Sequence, residues 1–190
     1  MARALFISPA KVKRDTALGS TVDEDLLTPY IRIAQDRHIY PALGTDLYEK
    51  LESDIIGDSV SGAYQTLLNE YIQPALAQFV FVEVGYVMRL RFANNAVVIA
   101  NSEVGQAAGT NDIKLVMERT QDIAMFYRQR MIDHLTHNVS SFPEYNSNTG
   151  ADLHPSSDNY FQGLNVNRTH PVSNQAKAVL SAIGLPRGYR

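Results

Sequence analysis

The stretch DIKLVMERTQDIAMFYRQRMIDHLTHN, Asp112 to Asn138, decides the fold class. Ile113, Met117, Thr120, Ala124, Tyr127 and Met131 step by four, three, four, three and four residues. Val116 and Ile123 widen that line into a stripe, the spacing of one face of an amphipathic helix. At 1.5 Å per residue, roughly 27 residues make a rod of about 40 Å. The opposite face carries Glu118, Arg119, Asp122, Arg128, Arg130 and Asp133 and reads as solvated. Such a rod needs partners for its apolar stripe, so the chain reads as a soluble, mostly helical domain that assembles.

Composition bounds the rest. The 190 residues suit one domain with a long extension. Hydrophobic content of 45% with 19% charged residues allows a sizeable core. A net charge of −3 argues against a free-standing nucleic-acid binder, which would be basic. Cysteine is absent, which removes disulfide scaffolds, thiolate-bound zinc and thiol catalysis. No apolar run reaches the length of a membrane-spanning helix. The opening MARALFISPAKVKR lacks the apolar core of a secretory signal.

Before the long helix, Leu5-Phe6-Ile7 reads as a brief strand or arm closed by Ser8-Pro9, packed on its own subunit or on a neighbour. STVDED (20–25) starts a helix, with Thr21 or Asp23 as cap and Pro29 near its first turn. Leu26, Leu27, Tyr30, Ile33 and Ala34 continue it, and the helix is expected to stop before Pro41. Gly44-Thr45-Asp46 makes a turn into a second helix with Leu47, Leu51 and Ile55 in line, ended by Gly57-Asp58.

The string LFISPAKVKRDTALGSTVDEDLLTPYIRIAQDRHIYPALGTDLYEKL carries a resemblance. Ile7-Ser8-Pro9, Ile33-Ala34-Gln35, Ile39, Pro41, Leu43-Gly44-Thr45, Leu47-Tyr48 and Leu51 resemble the N-terminal half of small helical ring proteins of tailed phages. These are the head–tail connector or portal adaptor proteins, including those of crAss-like phages. The likeness covers about the first third of the chain; beyond it only the order of helices agrees. It implies a virion structural protein at the head–tail interface, assembled in the host cytoplasm as a homo-oligomeric ring, a dodecamer. Its implied partners are the portal protein and neighbouring tail or ring proteins, with DNA passing through the channel. It implies no catalytic residues, no cofactor and no metal.

Residues 61–92 form the longest apolar segment. Tyr64, Leu67, Leu68, Tyr71, Ile72, Ala75, Leu76, Phe79 and Val80 keep helical spacing, and Pro74 inside the pattern should kink or split the helix. Around Phe79, Phe81 and Val87 the helix is apolar on most sides. That calls for cover from its own bundle or from a neighbouring subunit. Glu83 is the odd carboxylate there, expected to pair across helices or subunits. Arg89 and Arg91 flank the expected helix end. Residues 93–111 read as a loop in which Ala96–Ala100 form one short strand.

From Ser140 the composition turns to Ser, Asn, Pro and Gly with interleaved aromatics. This reads as an extended arm whose Phe142, Tyr145, Tyr160, Phe161, Leu185 and Tyr189 contact other subunits or the portal, with a weak helix over 173–183. The predicted architecture is mainly α: a small bundle with two long helices, one kinked near Pro74, a short β element or arm, and an extended C-terminal tail. The predicted division is 1–139 for the helical adaptor and 140–190 for the arm. His134 and His137 share a helix face but lack an evident third ligand. Neither a phosphate loop nor a nucleophile elbow is present. Beside the ring subunit, two other classes stay open. One is a DNA-packaging accessory protein; the other is a small helical enzyme using Glu83 or the histidine pair.

Overall fold

The computed structural model describes residues 3–19, 22–88, 90–93, 96–99, 110–147, 149 and 152–156. The chain divides into Met1–Asn159 and Tyr160–Arg190, and every described residue lies in the first unit. The division expected at 139/140 therefore falls some twenty residues later, because the stretch after the long helix belongs to the core.

Ser8 caps α1 (Pro9–Asp15), its Oγ accepting from Lys11 N at 3.2 Å, with Pro9 in the first turn. The run before it, Phe6 and Ile7, is buried in the chain's own core. Asp23 caps α2 (Glu24–Ala34). Pro29 sits inside that helix, beyond the first turn where it was expected. The helix does not stop at Pro41. It widens into a π turn over Gln35–Ile39 and resumes as α3 (Tyr40–Leu43). The carbonyl that Pro41 leaves without a donor, and against which its ring would press, belongs to Arg37, four residues back. That carbonyl lies in the widened turn, where Tyr40 N–H donates to Gln35 O instead.

The same device recurs. After α4 (Thr45–Ile56) and α5 (Gly62–Thr66), a second π turn spans Leu67–Ile72 and leads into α6 (Gln73–Met88). Pro74 follows it as Pro41 follows the first, with Glu70 in the position of Arg37. The expected distortion near Pro74 is thus a π turn just upstream of it. Helix α6 ends at Met88; Leu90–Ala93, read as helix end, is strand β1, paired antiparallel with β2 (Ala96–Ile99) in the register Leu90↔Ile99 to Ala93↔Ala96.

Helix α7 (Thr110–His137) is the decisive stretch, and it packs along α6. Met117, Thr120, Ala124, Met131, Ile132 and Leu135 are buried. Two expectations on this helix are corrected. Val116 and Ile123 lie outside the core contact, 50% and 41% exposed. Arg128, read as solvated, is buried, and its Nε donates to His38 O at 3.1 Å. A short 3-10 turn (Val139–Ser141) then leads to α8 (Pro143–Asn146). Gln35, buried in the first π turn, accepts from Phe6 N at 2.9 Å and donates from Nε2 to Ala4 O and to Tyr48 OH. It pins the N-terminal run to α4.

Candidate functional site

One apolar groove of about 330 Å³ opens at the junction of three elements. The segment after α1 supplies Ala17, Leu18 and Gly19; α6 supplies Phe81, Gly85 and Met88; α7 supplies Ile113, Val116 and Met117. Gly85 leaves room for α7 to approach closely: a Cβ there would meet the thioether end of Met117, which would have to move aside. Met88 stands 40% exposed and Val116 50% exposed at the groove. Also on α7, Leu115 and Phe126 are 68% and 65% exposed.

A charged cluster sits on the first π turn. Glu83 Oε1 is 3.0 Å from Arg37 Nη1 and 3.0 Å from His38 Nε2. The His38 ring stacks on Phe79 at 3.9 Å, while Arg128 holds the His38 carbonyl. Glu83 therefore pairs across helices within its own subunit. Burial pushes the pKa of His38 below its ordinary 6.5, against the raising effect of Glu83. Between that depressed pKa and 6.5 the unfolded chain binds more protons than the folded one, so stability falls as the pH drops through this window. His134, stacked on Tyr71 at 4.0 Å and also shifted down by burial, acts with the same sign. Urea midpoints measured between pH 7.5 and pH 5 should decline, and His38→Gln should flatten the decline.

A strap crosses the Gly44 turn. Leu153 O accepts from Thr45 N at 3.0 Å, Leu153 N donates to Thr45 Oγ1 at 2.8 Å, and Ser156 N donates to Pro41 O at 2.8 Å. Asp46 accepts from Thr149 N and from the hydroxyls of Thr149 and Ser147, and these bonds lower its pKa. Tyr40 OH donates to Asp152 at 2.8 Å. Pro155 packs against Gly44, whose φ of +75° suits glycine.

The residues singled out from sequence scatter over these features. Phe79 is buried beneath His38, Phe81 lines the groove, and Val87 is half-buried. Phe142, expected to reach another subunit, is fully buried at home, edge-on to Tyr64 at 5.4 Å and to His134 at 5.9 Å. Tyr145 is half-buried against the same core. Beside them, Tyr64 OH donates to Glu144 at 2.6 Å, and burial with that bond pushes its pKa up to about 12. Tyr160, Phe161, Leu185 and Tyr189 lie outside the described residues. His134 and His137 do not converge: one stacks on Tyr71, and the other turns its Nδ1 toward Asp133 O at 3.3 Å. Among the described residues no group of histidines and acids could hold a metal ion. No helix among them is long and apolar enough to cross a membrane.

A strapped helical turn and an open apolar groove are the main exposed features of this mainly helical protein. The chain belongs to a family of unknown function, DUF6712, whose model matches residues 39–154. The match begins at the end of the first π turn and closes within the strap: Thr45 and Leu153 lie inside it, Pro155 and Ser156 just past it. No curated protein and no solved structure matches the chain.

Proposed function

We propose that this chain is a virion structural protein of a tailed phage, a head–tail connector subunit that closes into a ring between portal and tail. The resemblance of residues 5–51 to connector proteins supports this reading. So does the groove between α6 and α7, which carries the argument: one copy leaves Met88 and Val116 open to solvent there. A closed ring needs each copy to present one surface to the next and a different one to the last, and the groove is the receiving half. The net charge of −3 suits a channel through which DNA moves without being held.

The test is Val116→Glu in the full chain, mixed with the portal protein and followed by native mass measurement. The wild-type chain should form a portal-bound ring, and the variant, with a charge in the groove, should lose it. Purified particles that contain no copies of the chain would overturn the reading.

A further inference from the structure

We infer that the outer pole of α7 is a two-fold contact between two copies of this chain, laid antiparallel across Phe126. In order, this pole reads Arg119, Asp122, Phe126, Arg130 and Asp133, all exposed and at helical spacing. Phe126 is 65% exposed although it is the largest apolar group on the helix, so the pole has an apolar centre. The charges around it are antisymmetric. Four residues before Phe126 stands an acid and four after it a base; seven before stands a base and seven after it an acid.

That order selects both the occupant and its direction. An antiparallel copy related by a two-fold axis at Phe126 sets Asp122 against Arg130 of the second copy, and Arg119 against its Asp133. Each pair occurs twice, with the two Phe126 rings meeting at the axis. A parallel copy in register would set each charge against its like. From Arg119 to Asp133 the contact runs about 21 Å along the helix. Ile123, 41% exposed, widens its apolar flank. Among the described residues neither Arg119 nor Asp122 has an ion-pair partner in its own copy. Arg130 rests over the Tyr71 ring at 4.7 Å and Asp133 accepts from Gln129 at 2.8 Å, which orders both without neutralising either. The contact is isologous and closes at two copies. It is therefore distinct from the head-to-tail contact a ring needs, and it stands or falls independently of the ring reading.

Sedimentation equilibrium of the full chain at about 100 µM in low salt tests it, since a contact of this size is weak. The wild-type chain should be dimeric. Asp122→Arg sets like charges against Arg130 twice and should raise the dimer Kd by about tenfold or more. The double variant Asp122→Arg with Arg130→Asp should restore the wild-type Kd to within about threefold, and the independent swap Arg119→Asp with Asp133→Arg should do the same. Far-UV circular dichroism checks that each variant keeps its helices. A wild-type monomer, an association that Asp122→Arg leaves unchanged, or folded double swaps that both fail to dimerise would overturn the inference.

Discussion

Phe142→Ala should lower the unfolding free energy by about 4 kcal/mol, a value typical of emptying a fully buried aromatic site. The ring is completely enclosed, and two of its walls, Tyr64 and His134, come from different helices. Neither can collapse into the void without giving up a partner: Tyr64 is tied to Glu144 at 2.6 Å, and His134 is stacked on Tyr71. Truncation shows the same dependence. A chain ending at Asn138 loses Phe142, Tyr145 and the strap together and should unfold at markedly lower urea, whereas one ending at Asn159 retains them. Urea midpoints of the two truncations and of Phe142→Ala provide the check. A short truncation as stable as the full chain would show that the tail contributes nothing to the core.

Gly44→Ala should cost about 3 kcal/mol, combining a backbone conformation that alanine rarely adopts with a collision. At Gly44 the backbone has φ +75° and ψ 166°, and a Cβ would lie 2.6 Å from Pro155 Cδ and 2.9 Å from Pro155 N. The Pro155 backbone nitrogen cannot step aside by rotating a side chain. The strap must lift, and with it go the bonds from Thr45 N, Leu153 N and Ser156 N. Hydrogen exchange should report it: the amides of Thr45 and Leu153 should lose protection, while those in the middle of α7 keep theirs. Equal protection at Thr45 in the variant and the wild-type chain would count against the strap's role.

How much of this was legible beforehand differs from element to element. Helix α7 was readable because its apolar period runs unbroken. The same period should have exposed Arg128, which lies eleven residues after Met117 and so three turns along the same face; its charge masked its position. Helix α1 was missed because Ser8-Pro9 reads equally as the end of an apolar run and as a cap with a first-turn proline. Pro41 was read as a stop, and nothing in the residues before it announces a π turn. Phe142 was misplaced by composition: the Ser, Asn and Pro around it resemble an arm, and only the tertiary partners Tyr64 and His134 make it core. The strand pair was half seen, since β1 sits where a helical run was expected to continue. The Glu83 pairing was foreseen in kind, but its partners, forty-five and forty-six residues earlier, could not be named from spacing.

The two widened turns also govern which changes of length the chain tolerates. A π turn holds one residue more than the α-helix would place there. Cutting one residue from Gln35–Ile39 would therefore let the turn close into an ordinary α-helix with Leu43 and the Gly44 bend still in phase, whereas adding one would turn everything after it by about 100°. The same holds for Leu67–Ile72 ahead of Phe79 and Glu83. Insertions belong in connections such as 57–61, between α4 and α5, and a single deletion along the two proline-headed helices belongs in the widened turns.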